Sequence, residues 1–390
     1  MLGVMTAADR HYSLSVGDLL LRRTIAEIAD TTDRHADWGS YTAAVDDLVG
    51  RLFDFEMCCW HLVDPGTVMF TGSINRGIQC SGAWLAQHEF VVEDVNKWAF
   101  LAHSGRIAGA TSIDTHGVLS RSPRHREHES MGLGDELRVS LVVDGVYWGA
   151  ACFLRRDDSP WYTQHDVDLL TALSAPLAVG LRRALLTPVM EAPTIDHGPG
   201  VVVFAPDGRM ESFSPAAERW IAELVEDPPP SSPGQSRIVL ALAARARAIP
   251  RGTDPVQLGA RSRARTRGGD WLLLYATPLS GEPTGRIAVI VQPAAPLEVA
   301  PLVAMAYGLS PRETELTMLC IRGLSTKEIA QAMLLSPYTV QDHLKSIFRK
   351  TGAGSRGELV GQVFLEHYAS RWEPVDRAPD GWWAKAIQQP

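Results

Sequence analysis

Cysteine is scarce in this chain of 390 residues, which carries five: Cys58, Cys59, Cys80, Cys152 and Cys320. Their number is odd and no C-x-x-C occurs, which argues against a disulfide framework or a four-thiolate zinc site and for a reducing compartment. Long apolar runs are missing as well. No stretch reaches the roughly 18 to 20 residues of a membrane span. The short patch Leu19–Leu21 runs straight into Arg22 and Arg23, unlike a signal peptide. A soluble, cytoplasmic protein is expected. A phosphate-binding glycine loop, a Ser/His/Asp arrangement and a close carboxylate pair are also lacking, so neither enzyme activity nor a cofactor is expected. Basic excess is absent overall, the net charge being -8. Residues 301–369 depart from that trend with 7 Lys/Arg against 6 Asp/Glu, so only this segment suits nucleic acid.

What is present is ordinary globular material, 45% hydrophobic and 21% charged, in a chain long enough for two or three domains. Proline-rich passages at 187–200 and 293–301 read as linkers. They divide the chain into residues 1–190, 198–294 and 302–369, with a tail at 370–390.

In the first segment, Met57–Val63, Thr67–Ile74, Leu137–Val143 and Tyr147–Leu154 read as strands joined by turns at Asp64-Pro65-Gly66 and Asp144-Gly145. Both faces of Met57–Val63 are apolar, so both should be covered: Met57, Cys59 and Val63 on one, Cys58, Trp60 and Leu62 on the other. A long helix closes the segment, opened by a capping box of Thr163 and Asp166. His125 and His128 read as a solvated loop, with no third metal ligand at a recognised spacing. From Leu137-Arg138-Val139 through the turn to Trp148-Gly149, and in its closing helix, the segment resembles a GAF domain. That resemblance implies a small-molecule pocket between the sheet and a cap. Trp60, Met69, Trp84, Trp98 and Trp148 are the expected lining of an apolar effector site, against the plainer alternative that most of them are core.

The middle segment has strands at Gly200–Phe204, Met210–Phe213, Trp271–Ala276 and Arg286–Val291, with a helix from Ser214. Its opening turn and closing strands resemble a PAS-type fold. Arg261, Arg263, Arg265 and Arg267 alternate with small residues, which puts four guanidinia on one strand face; a solvated face is favoured over an anion contact.

Residues 309–364 are the most informative. Ser310/Glu313, Ser325/Glu328 and Ser355/Glu358 read as capping boxes, Ser336-Pro337 as a further helix start, and Gly323 and Gly352 as stops. Leu316, Cys320, Ile329, Met333, Val340, Leu344, Ile347 and Leu359 form a small core. Two of the four helices are parted only by the turn at Leu334-Leu335, which is helix-turn-helix spacing. The stretch LSPRETELTMLCIRGLSTKEIAQAMLLSPYTVQDHLKSIFRKTGAGSRGELV resembles the DNA-binding domain of LuxR/FixJ-type transcriptional regulators. The resemblance implies that Gln341, Asp342 and Lys345 face bases, that Lys327 and Thr339 meet phosphate, and that the last helix, Glu358 to Leu365, dimerises the domain. With Ser336, Val340 and Arg349 these residues make the expected DNA-binding set.

The fold class expected is therefore α+β and multidomain: GAF-like and PAS-like sensory domains before an all-α, four-helix LuxR-type helix-turn-helix domain. The expected function is a ligand-responsive one-component regulator that binds double-stranded operator DNA as a homodimer, with a small-molecule effector and RNA polymerase as further candidate partners. The alternative is a sensory scaffold that works through protein partners and binds DNA weakly.

Overall fold

The structure, a computed structural model, describes residues 16–34, 37–78, 81–186, 198–249, 259–281 and 284–365. The segment 187–197, the tail and Cys80 lie outside the described residues.

Two helices lead the first domain, α1 (Val16–Arg34) and α2 (Trp38–Val49). Asp37 caps α2 by accepting the Ser40 N–H at 2.9 Å. Strands β1 (Met57–Asp64) and β2 (Met69–Arg76) follow, then α3 (Gly82–Phe90), α4 (Trp98–Ser104), β3 (Ala108–Ala110), α5 (Thr111–Asp114) and α6 (Pro123–Glu129). The hairpin β4 (Leu133–Val143) and β5 (Val146–Arg156) turns at Asp144 (φ 54°) and Gly145 (φ 74°), both left-handed as a two-residue primed turn requires. Helix α7 (Gln164–Leu186) closes the domain from the Thr163/Asp166 box, with the Thr163 N–H donating to Asp166 Oδ2 at 2.7 Å. It is long and apolar enough to cross a membrane by length and composition, contrary to the reading of the sequence. Here its apolar face is buried against the sheet and α1. Gly180 lets α7 reach α2, since a Cβ there would overlap the Tyr41 ring.

The middle domain consists of β6 (Gly200–Phe204), β7 (Met210–Phe213), α8 (Pro215–Ala222), β8 (Glu226–Asp227), α9 (Arg237–Ala248), β9 (Arg261–Arg265), β10 (Trp271–Pro278) and β11 (Ile287–Pro293). Its sheet runs β7-β6-β11-β10-β9, and the first runs β3-β4-β5-β1-β2. Counted within each domain, the strand order is the same. β8 leaves its own domain to pair in parallel with β2, Ser73 opposite Glu226, as the sixth strand of the first sheet.

The expected arginine stripe is a solvated face only in part: Arg261 and Arg267 are exposed, Arg263 and Arg265 half-buried. Arg263 donates to both oxygens of Asp64 on β1, at 2.6 and 2.8 Å. Arg265 donates to the Leu185 carbonyl at 2.9 Å, and Arg267 to the Glu226 carbonyl at 2.8 Å. Strand periodicity aligned these residues correctly, but the neighbouring domain engages the middle two, Arg263 and Arg265. Arg237 adds a second clamp, bound to Ser73 Oγ at 2.9 Å and to the Asp227 carbonyl at 2.9 Å.

Residues 293–301 are no linker either. The chain passes from β11 into α10 (Pro296–Ala306), where Pro296 sits in the first turn and lacks only an N–H that the helix leaves unpaired there. Val299, Leu302 and Val303 are buried, and α10 packs on α7 and on the last helix. The last segment is α11 (Pro311–Ile321), α12 (Thr326–Met333), α13 (Pro337–Thr351) and α14 (Arg356–Val360), the last continued by a π turn at Gly361–Leu365.

Cys59 and Cys152, 93 residues apart, stand opposite each other on β1 and β5 with Cα atoms 5.2 Å apart, joined as a disulfide. This corrects the expectation of unpaired thiols. Register places them together, and no local motif signals it.

Candidate DNA-binding face and effector cavity

The caps of the helical domain follow its serines. Ser310 Oγ accepts the Glu313 N–H and Glu313 returns the bond to the Ser310 N–H at 2.7 Å; Ser325 and Glu328 do the same at 3.3 and 2.7 Å. The third expected box is half formed. Ser355 Oγ accepts from the Glu358 N–H at 3.1 Å, but the Glu358 carboxylate takes the Gly354 N–H instead. Glu313 also binds Lys350 Nζ at 2.6 Å, tying α11 to α13. Burial opposes its charge, yet Lys350 and the Ser310 bonds hold its carboxyl down at about 2.

α12 ends on Leu334, left-handed at φ 56° and 92% exposed. The two-residue turn demands that conformation, at roughly 1 to 2 kcal/mol for a side chain with a Cβ. It aims α13 outward. Val340, Leu344 and Ile347 are buried, while Gln341, Asp342, Lys345 and Arg349 are exposed on the opposite side. Val340 is therefore core and not a DNA contact. Its neighbours in sequence take the outer face because successive helical residues are about 100° apart. Asp342 and Lys345 pair at 3.2 Å, one turn apart. Lys327 is exposed at the start of α12. Ser336 and Thr339 are engaged with each other: Ser336 Oγ accepts the Thr339 N–H at 3.0 Å and lies 2.8 Å from Thr339 Oγ1. This cap already engages both the amide and the hydroxyl of Thr339, the residue expected to meet phosphate.

The first domain has a cavity of about 30 Å³ between its sheet and α3, α4 and α6. Cys59, His61, Asn75, Cys152 and Arg138 line it from the sheet, and Trp84, Leu85, Trp98 and His128 from the cap. Of the five expected lining residues, Trp84 and Trp98 are there. Met69 is buried on the same side of the sheet but does not line the cavity. Trp60 and Trp148 face the other way, into the core under α2 and α7, and Trp60 Nε1 donates to Asp46 at 2.8 Å. Strand alternation puts Trp60 opposite Cys59 and His61, so only one of these sets can reach the cap.

Five buried ions of alternating sign brace the cavity wall: Asp94, Arg124, Glu136, Arg138 and Glu89. Successive contacts are 3.3, 2.6, 3.5 and 2.9 Å. The Arg138 guanidinium also stacks 3.5 Å over Trp98. Burial works against the Glu136 charge, but Arg124 and Arg138 hold its carboxyl at about 2. His125 and His128 sit on α6 and are buried, not in a solvated loop. Burial, the largest effect, pushes His128 down to about 4. Among the described residues no cluster of three His, Cys, Asp or Glu could hold a metal ion. A second, open cleft of about 250 Å³ lies at the sheet edge by α5 and α7. Its Arg106 pairs with Asp114 Oδ1, while Asp114 Oδ2 is buried without a hydrogen-bond partner.

Residues 308–362 match the family described as bacterial regulatory proteins, luxR family, and residues 42–181 match the GAF domain. The chain thus contains a GAF domain followed by a LuxR-type helix-turn-helix. HTH-type transcriptional regulators of Mycobacterium bovis and Mycobacterium tuberculosis are 43% identical over 55 residues, 14% of this chain. The match spans 6% of the length of these curated relatives. Among solved structures, the VqmA–ligand–DNA complex of Vibrio cholera is 24% identical, covering 28% of this chain and 54% of that one at a TM-score of 0.17. A bacteriophytochrome of R. palustris is 14% identical, covering 73% of this chain and 64% of that one at a TM-score of 0.31.

Proposed function

We propose that this chain is a ligand-responsive one-component transcriptional regulator that binds double-stranded operator DNA as a homodimer and carries no catalytic activity. The observation that supports it most is the joining of a GAF cavity between sheet and cap helices and an outward-facing, fully capped recognition helix in one chain. Gln341, Asp342 and Lys345 read base edges, and Lys327 and Arg349 neutralise phosphate. The middle domain is PAS-like, a reading supported by a strand order equal to that of the GAF sheet. A homodimer would meet half-sites about 34 to 36 Å apart, and an activator of this kind would also touch RNA polymerase.

A route for the signal follows from the packing. Cap helix α3 lies between the cavity and α9, α9 packs on β10 and β11, and β11 runs directly into α10. An effector that moves α3 would shift the base on which α11–α14 stand. The test is binding-site selection from random duplexes by the full chain, followed by fluorescence anisotropy across a salt series. A recovered two-fold site, bound with a steep loss of affinity as salt rises, is expected. No enriched site and a flat salt response would overturn the reading.

A further inference from the structure

His61 is 1% exposed, and neither of its ring nitrogens has a hydrogen-bond partner. Its ring is held by stacking on Phe70 at 4.4 Å and by an edge contact with Trp98 at 5.0 Å. Asn75 Oδ1 and Trp84 Nε1 are likewise buried without hydrogen-bond partners, as are Arg124 Nη1 and Arg138 Nε, and all five side chains line the same cavity. Burial above all, with Arg237 and Arg138 nearby, holds His61 well below its ordinary 6.5, so the ring is neutral and offers one N–H and one lone pair. An unmet buried polar group costs on the order of 1 to 3 kcal/mol, so these atoms mark where a partner belongs.

The charges beside them are already matched. Both cations on the wall, Arg124 and Arg138, have carboxylates within 3.5 Å, and three carboxylates face these two guanidinia. An anion would find no unpaired cation and a surplus of negative charge. The rest of the lining is a second imidazole, His128, and the apolar Ile78, Leu85, Trp98, Leu154 and Cys59–Cys152 disulfide.

We propose that the cavity takes a compact uncharged ligand whose polar end both donates and accepts a hydrogen bond, as an amide or hydroxyl does, and whose remainder is apolar or aromatic. The inference rests on the regulator reading and names the class of its effector. As it stands, the cavity of about 30 Å³ holds one or two waters. A larger ligand must displace Trp84 and Leu85 on α3, and α3 packs on α9.

The test is thermal unfolding of the full chain with benzamide, benzoate or toluene at matched ionic strength. Benzamide should raise Tm with concentration and bind at least tenfold more tightly than its charged isostere benzoate or than toluene. Asn75→Leu and His61→Phe should each abolish that shift; the first serves alone if the second does not fold. Benzoate binding as tightly as benzamide would overturn the uncharged class and leave ligand sensing intact. Toluene binding equally well would overturn the role of His61 and Asn75. No shift with any probe would mean a cavity for water only, which overturns the proposal while salt-dependent DNA binding by the same preparation would still support a regulator.

Discussion

Replacing Glu136 by Gln removes one negative charge from the centre of the buried ion chain and changes little else in shape. The carboxylate lies 2.6 Å from Arg124 Nε and 3.5 Å from Arg138 Nε, and all three side chains are 5% exposed or less. Its carboxyl sits at about 2 against an ordinary 4.5, which corresponds to roughly 3 kcal/mol of preference for the charged form. Breaking a buried pair from one side costs about 3 to 5 kcal/mol, and each arginine keeps another carboxylate, so the lower end applies. Because the folded value is depressed, this stability is fully present above about pH 4.5 and is lost as pH falls through about 2. Glu136→Gln should therefore lose about 3 kcal/mol at pH 7 and show a flatter pH dependence below 4.5. Urea unfolding followed by tryptophan fluorescence measures both. A loss under about 1 kcal/mol at pH 7 would refute the claim that this carboxylate holds the wall together.

The recognition helix and the buried histidine each permit a similar test. Asp342→Asn should release Lys345 from its 3.2 Å pair and, by replacing an acceptor-only carboxylate with an amide, change the base preferred opposite position 342 in the selected site; an unchanged preference across single-base variants in anisotropy would dismiss Asp342 as a base contact. Lys345→Ala should instead weaken binding and relax sequence preference, read on the same selected duplex and its single-base variants. His128 lies at about 4 in the fold against 6.5 when exposed, so the unfolded chain takes the proton first and stability falls as pH drops from 6.5 towards 4. At pH 5.5 the loss is roughly 1 kcal/mol, and His128→Phe should remove it; parallel pH curves for the two proteins would show that burial does not govern this ring.

The helix-turn-helix was legible because its determinants are local. Ser310, Ser325 and Ser336 announce helix starts within three or four residues of the amides they bind, and 3.6-residue periodicity sorts Leu344 and Ile347 from Gln341 and Lys345. Even there, Leu334 was hidden. Glycine is the usual sign of a left-handed stop, and nothing in the residue type announced one at leucine. Strands of the GAF domain were found for the same local reason, turn residues and alternation. Contacts across long separations were not: Arg263 with Asp64 is 199 residues apart, and Arg237 with Ser73 is 164.

The misplaced tryptophans make the limit concrete. Alternation correctly divides Met57–Val63 into two sets, but it carries no sign saying which set faces the cap. Trp60 suggested itself as lining because it is large and aromatic; it belongs to the helix side, where Asp46 meets its indole N–H. The informative residue was its neighbour His61. A polar side chain between Trp60 and Leu62 on a buried strand has no reason to be there unless something on its face can use it, and its unpaired nitrogens in a cavity fit that need. In a strand apolar on both faces, then, the side with the out-of-place polar residue marks the ligand face better than the side with the bulkiest apolar one. By that rule Asn75, on the paired strand β2 and in the same cavity, was readable as well.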